Sequence, residues 1–266
     1  MKIGIVGCAG RMGRMLVKAV HDTPGAELAG GTEATHSGAI GEDPALLAGL
    51  PASGLKIVDD PKALFEASDA VVDFTAPAAT VRHAALAAET GTALIPGTTG
   101  LSDDDQAKIA DAAKAVPIVQ AANYSVGVNV LLGLAEQTAA MLGPEFDIEI
   151  LEMHHRHKVD APSGTALALG KAAAAGRGVD LDAVSDRVRD GHTGERKTGN
   201  IGFATLRGGM VVGDHSVIFA SDDERIEISH KAADRGLFAK GAIRAAMWTE
   251  GKAPGLYSMR DVLGLK

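Results

Sequence analysis

Lys2-Ile3-Gly4-Ile5-Val6-Gly7-Cys8-Ala9-Gly10-Arg11-Met12-Gly13 is the stretch whose reading decides the fold. A short β-branched run ends at Gly7. Helical spacing begins at Arg11, with Met12, Met15, Leu16, Ala19 and Val20 on one side. Small residues between a strand and a helix let backbone N–H groups approach a pyrophosphate at the helix N-terminus. The spacing here is G-x-x-G-x-x-G, and Gly-rich turns also occur as plain structure, so the motif alone is weak. Glu33 adds weight to it. This acid stands 20 residues past Gly13, at the end of a second expected strand. An acid in that place accepts hydrogen bonds from adenosine ribose hydroxyls, although alone it reads as a solvated loop residue.

Outward from this turn the chain alternates strand and helix. Strands are expected at 27–32, 56–58, 70–74, 92–95 and 117–120, and helices at 61–67 and 78–89. Residues 36–54 read as a long loop with one helical turn. Ser102 reads as an N-cap, with Asp103, Asp104 and Asp105 in the first helical turn. This rhythm means a doubly wound parallel sheet with helices on both faces, a Rossmann-type α/β domain. Ligands of such sheets lie beyond the strands' carboxyl ends. The ends carrying Phe74-Thr75-Ala76-Pro77 and Gly97-Thr98-Thr99-Gly100 suit a nicotinamide–ribose path, and equally suit plain turns.

After Asn123 the pattern changes. A long helix (126–142) precedes strands at 146–153, 201–206, 216–220 and 225–230, an α+β unit with one wet face on its last strand. Residues 186–200 read as a mobile loop, and 238–248 as a helix returning to the first domain. The expected domains are therefore 1–125, 126–235 and a C-terminal segment, 236–266.

Composition bounds the function. The 266 residues carry a net charge of −8, which argues against nucleic acid, whose phosphates need clustered Lys and Arg. The single cysteine permits no intrachain disulfide, the usage of a reducing, cytoplasmic compartment. The first apolar run is too short for a signal peptide, and no run is long enough for a membrane span.

The densest chemistry is Glu152-Met153-His154-His155-Arg156-His157-Lys158-Val159-Asp160-Ala161-Pro162-Ser163-Gly164-Thr165-Ala166-Leu167. So many cations within one turn of an acidic chain would attract a small polyanion. Ser163 reads as an N-cap, and the N–H groups of Gly164 and Thr165 as an anion seat at a helix start. The rival reading is a metal, through His155-x-His157. Interleaved Arg156 and Lys158 would repel a dication, so no metal is expected.

With these motifs in place, the chain resembles the 4-hydroxy-tetrahydrodipicolinate reductase family from end to end. The resemblance also rests on Ala121-Ala122-Asn123-Tyr124-Ser125-Val126-Gly127-Val128-Asn129, Ile201-Gly202-Phe203-Ala204 and His230-Lys231. It implies a cofactor domain, a substrate-binding and oligomerising domain, and a homotetramer. It implies His154 as proton donor/acceptor and Lys158 as second acid, with His155, Gly164 and Thr165 binding a small dicarboxylate. The implied cofactor contacts are Gly7, Cys8, Ala9, Gly10, Arg11, Met12, Glu33, Gly97, Thr98, Thr99, Ala121, Ala122, Asn123 and Tyr124. The implied reaction is NADH- or NADPH-dependent reduction of a cyclic unsaturated dicarboxylate in lysine and diaminopimelate biosynthesis. NADH is expected to serve at least as well as NADPH, because Ala34 occupies the place next to Glu33 where a phosphate-binding arginine would stand. An aspartate or homoserine dehydrogenase, or a non-catalytic NAD(H) sensor, would share the first half and not the histidine run.

Overall fold

The computed structural model describes residues 1–265. In chain order the elements are β1 (Lys2–Val6), α1 (Arg11–Asp22), β2 (Glu27–Thr32), α2 (Pro44–Leu47), α3 (Pro61–Glu66), β3 (Ala70–Asp73), α4 (Pro77–Thr90), β4 (Ala93–Pro96), α5 (Asp103–Ala112) and β5 (Pro117–Val119). There follow α6 (Val126–Met141), β6 (Asp147–His154), α7 (Gly164–Arg177), α8 (Leu181–Val184), β7 (Ser185–Asp186), β8 (Ile201–Arg207), β9 (Asp214–Ala220) and β10 (Arg225–Lys231). The chain ends with α9 (Gly236–Trp248), β11 (Gly255–Tyr257) and α10 (Met259–Leu263). Two compact units result. One is Met1–Val126 with the chain from Gly236 onward, and the other is Gly127–Arg235.

The first unit is built on a parallel sheet of order β11-β5-β4-β3-β1-β2. Strand periodicity explains its two cores. Ile3, Ile5, Val72 and Ile95 face one side with Leu16 and Val20 of α1 and Ile243 of α9. Val6, Val71 and Leu94 face the other, with Phe65, Ala84 and Ile109 of α3, α4 and α5. Local chemistry sets the helix starts. Asp60 caps α3, and Ser102 forms a reciprocal capping box with Asp105 at α5.

The structure corrects several sequence expectations. Residues 56–58 do not form a strand, because only a single bridge joins Val58 to Thr32. Its loop instead folds back on itself through Gly41 to Ile57 and Ile57 to Glu42 backbone bonds. The strand expected at 70–74 stops at Asp73, where Asp73 turns its side chain onto Thr75. β11 and α10 were not anticipated, since Gly255–Tyr257 is too short to show periodicity and is a strand only beside β5.

The second unit is a mixed sheet of order β10-β9-β6-β8-β7. β6 pairs antiparallel with β9 and parallel with β8. Ile148 and Ile150 of β6 pack with Val217 and Phe219 of β9, Leu131 and Ala135 of α6, and Leu169 and Ala173 of α7. β10 is an edge strand and is exposed along most of its length, not on one alternating face. The charged stretch 186–200, read as a mobile loop, is pinned. Arg189 and Arg196 both bond Glu149, and Arg196 also reaches Asp147 at 2.6 Å.

Candidate functional site

In the first unit, the β1–α1 turn fits a dinucleotide phosphate. Gly7 has φ +66°, and a Cβ at Gly13 would overlap the Gly7 carbonyl and the Cys8 backbone. Helix α1 opens at Gly10 without a side-chain cap, so its first-turn amides are not capped from within. Four amides of the turn are used internally. Gly7 and Cys8 donate to Thr32 O, Gly10 donates to Gly7 O, and Ala9 donates to Glu33 Oε1 at 2.8 Å. Glu33 therefore ties the second strand's end to the turn in addition to facing the cleft.

That cleft has a volume of about 620 Å³ and joins Gly7, Glu33, Ala34 and Thr75 with Arg82 and His83 of α4. A second hollow of about 230 Å³ brings Met12, Phe74, Ala122, Asn123, Tyr124 and Phe238 together. Gly97 begins the turn after β4, where a Cβ would overlap the Phe74 ring. Two of the residues expected to touch cofactor turn their side chains inward. Cys8 is fully buried, and burial followed by the Glu33 charge pushes its thiol up to about 12, so it stays neutral. Tyr124 donates its hydroxyl toward Val119 O (2.6 Å) and Pro96 O (3.0 Å), and burial holds that phenol well above its ordinary range. Only their backbones are left to face a ligand.

In the second unit, alternation along β6 puts Ile148, Ile150, Glu152 and His154 on the buried face. Two apolar residues are thus followed by an acid and an imidazole, at the strand's carboxyl end. The neighbouring strands supply partners by register: His215 lies opposite Glu152, and Arg207 beside His154. Glu152 accepts Arg207 Nη1 at 2.7 Å and Nη2 at 2.9 Å, the Ser163 N–H at 3.0 Å, and His154 Nδ1 at 2.6 Å. Burial raises the Glu152 carboxyl, but Arg207, His154 and Ser163 outweigh it and hold the group below its ordinary value. A carboxylate only accepts, so His154 carries a proton on Nδ1 and presents Nε2. Gly213 leaves room there, since a Cβ would stand 2.9 Å from Nε2.

His215 packs edge-on to His154, with ring centroids 5.0 Å apart. Its Nε2 lies 3.1 Å from Ser163 Oγ, which itself accepts the Ala166 N–H as the cap of α7. Burial first, then the His154 charge, lowers His215 to about 4. The ring is therefore neutral near pH 7 and shares a hydrogen bond with the Ser163 hydroxyl. Gly164 is exposed, and a Cβ there would meet nothing within 4 Å. Lys158 Nζ lies 2.8 Å from Asp160 Oδ1. Desolvation first, then the charge of Arg235 and the neighbouring basic groups, lower His155. A field that resists protons in this way favours an anion.

The sequence-expected residues thus fall in two sets. Gly7–Met12, Glu33, 97–99 and 121–124 gather at the carboxyl edge of one sheet, and His154, His155, Lys158, Gly164 and Thr165 surround the end of β6. Sequence reading missed the roles of Glu152, Arg207 and His215. A signal was present for Glu152, because an acid in phase with Ile148 and Ile150 must be buried and partnered. None existed for Arg207 and His215, which are distant in sequence. Among the described residues no three His, Cys, Asp or Glu side chains cluster as a metal-binding group, and no helix is long and apolar enough to cross a membrane.

Residues 1–124 match the family described as dihydrodipicolinate reductase, N-terminus, and residues 127–263 match dihydrodipicolinate reductase, C-terminus. The chain is 57% identical over 266 residues to 4-hydroxy-tetrahydrodipicolinate reductase 1 of Mesorhizobium japonicum, covering 100% of this chain and 97% of the relative. It is 55% identical to 4-hydroxy-tetrahydrodipicolinate reductase of Rhodopseudomonas palustris, covering 100% and 98%. In fold it is similar to the dipicolinate-bound dihydrodipicolinate reductase of Paenisporosarcina sp. TG-14, with TM-score 0.77 and 24% identity over 97% of each chain.

Proposed function

The chain belongs to the dihydrodipicolinate reductase family, and on that premise we propose how its site works. It is a nicotinamide-dependent oxidoreductase that reduces 4-hydroxy-tetrahydrodipicolinate to tetrahydrodipicolinate, in the route to diaminopimelate and lysine. The observation that carries the assignment of roles is the buried Glu152–His154 pair, 2.6 Å apart and clamped by Arg207.

When bound, the nicotinamide supplies the hydride. The small residues of the β1–α1 turn let the pyrophosphate approach the first-turn amides of α1, which hold it, and Glu33 faces the adenosine ribose. The turns at Gly97, Thr98 and Thr99 and at Ala121, Ala122, Asn123 and Tyr124 border the nicotinamide end. The N–H groups of Gly164 and Thr165 seat one substrate carboxylate at the start of α7, with Lys158 supplying positive charge and His155 a neutral ring N–H.

His154 gives or takes a proton at Nε2. Glu152 fixes the tautomer that makes this possible and stabilises the imidazolium, as a carboxylate beside a catalytic histidine does. Reduction places electron density on the substrate's conjugated C=C–C=N system. That system forms when the 4-hydroxyl leaves as water, and a protonated His154 or Lys158 then stabilises the density the hydride brings and delivers the proton. His215 stays neutral, so it adds no charge against a protonated His154. We further propose a cytoplasmic homotetramer in which 1–125 binds cofactor and 126–235 binds substrate and assembles.

The test is loss of absorbance at 340 nm with freshly generated substrate. Rapid oxidation of NADH or NADPH that depends on substrate supports the assignment. None with either cofactor overturns it in favour of a sensor that kept the fold. Turnover with aspartate or homoserine would favour the amino-acid dehydrogenase reading.

A further inference from the structure

At the carboxyl end of β3 lies a second buried charge, which the reaction described above does not use. Asp73 is fully buried. Its Oδ1 accepts the Thr75 N–H at 2.9 Å and the Thr75 hydroxyl at 2.6 Å, and its Oδ2 faces His83 Nδ1 at 2.8 Å. Its backbone carbonyl accepts the Gly97 N–H at 2.8 Å. Thr80, also fully buried on α4, donates to Thr98 Oγ1 at 2.7 Å. Burial raises the Asp73 carboxyl, but His83 and then the Thr75 hydroxyl bring it below its ordinary value.

Taking a carboxylate out of water costs several kcal/mol, and a well-packed apolar group in its place is often as stable. The position of this charge gives it a use. Its bonds do not run along the sheet. They run to Thr75 in the β3–α4 turn and to His83 on α4, while the Asp73 backbone carbonyl takes the Gly97 amide that opens the β4–α5 turn and Thr80 of α4 holds the Thr98 hydroxyl. With Thr80 donating to it, Thr98 has an accepting site occupied and its own proton left to give. Thr75 and His83 line the same cleft as Glu33.

We propose that Thr80, on the helix that the buried Asp73–His83 pair anchors to the end of β3, is a positioning residue for the nicotinamide half of the cofactor. The buried anion fixes the turn after β3 and the helix behind it, and Thr80 orients Thr98 as a hydrogen-bond donor toward the carboxamide oxygen. This rests on the cofactor reading under Proposed function. It adds a buried network that touches no ligand and sets the aim of one that does.

The test uses Thr80→Val, which keeps volume and removes the hydroxyl, and Thr80→Ser, which restores it. Dissociation constants are measured for NADH and for ADP-ribose, a fragment without nicotinamide, together with thermal unfolding. Loss of one hydrogen bond predicts about fivefold weaker NADH binding in Thr80→Val. ADP-ribose binding is expected unchanged, and NADH binding restored in Thr80→Ser. A Thr80→Val protein that binds NADH as wild type does, or weakens both ligands equally, overturns the proposal. A folded wild type that binds neither ligand overturns the cofactor reading and the proposal with it.

Discussion

The Glu152 carboxylate lies 2.6 Å from His154 Nδ1, two residues away on the same buried face of β6. Arg207 completes the arrangement from the next strand, and the pair needs no other element to set the imidazole's tautomer. The predictions that follow come from this pair and its surroundings.

His154→Gln and Lys158→Met are each expected to lower kcat by about 10² to 10⁴, the usual size of a lost general acid. Cofactor binding should persist, because both residues lie in the second unit and the glycine turn in the first. Gly213→Ala should also lower kcat, since its methyl would stand 2.9 Å from His154 Nε2. Steady-state kinetics beside a cofactor titration checks all three. Near-native turnover in His154→Gln or Lys158→Met removes that residue from the chemistry.

Pyridine-2,6-dicarboxylate should compete with substrate, one carboxylate resting at Gly164 and Thr165. A side chain at Gly164 meets open space, so Gly164→Asp should fold normally. Its charge would repel the ligand and weaken binding by about tenfold or more. Calorimetry on both proteins decides. Equal affinity in the two would place the carboxylate elsewhere.

His215 predicts a pH dependence of stability. Its folded pKa of about 4 lies below its ordinary 6.5, so the unfolded chain takes up the proton first. The stability contribution is complete above pH 6.5 and is lost as pH falls toward 4. A shift of this size corresponds to about 3 kcal/mol. Urea unfolding of wild type and His215→Gln at pH 7 and at pH 4.5 isolates it, because the other titrating groups are common to both. Wild type should lose more stability than the variant by about 2 kcal/mol. Equal losses would mean that His215 is not held neutral.

Cofactor choice follows from Glu33 and Ala34. A carboxylate repels a 2′-phosphate, and Ala34 offers it no partner, so NADH should serve at least as well as NADPH. Ala34→Arg should move the ratio of kcat/KM toward NADPH by pairing with the phosphate. Arg82 lines the same cleft. A wild type that strongly prefers NADPH would contradict the local reading, and loss of that preference in Arg82→Ala would identify the cation.

Much of this was legible in the chain. The glycine turn after a β-branched run, the Ser102 cap with its three aspartates, and the alternation of strands with helices carry their meaning locally, because each depends on neighbours within a few residues. The cation-rich run from His154 to Lys158, followed by a capped helix, was likewise readable as an anion site.

Other features arise only when distant segments meet. Residues 56–58 read as a strand yet make one bridge, and residues 255–257 read as nothing yet complete the sheet. Short segments take their state from the neighbour that offers hydrogen bonds. The loop at 186–200 is charged enough to look free, but Glu149 sits on β6 to hold two of its arginines.

Local pattern marked the residues proposed for the site: the glycines, His154, Lys158 and the Gly164–Thr165 turn lie in short runs that can be read without the fold. Tertiary structure decided their chemical state. The neutrality of His215 and the buried anions at Glu152 and Asp73 depend on partners 10 to 55 residues away and on exclusion of water. Charge is governed by the local field and dielectric, and those exist only once β6, β8 and β9 in one unit, and β3, α4 and β4 in the other, are side by side.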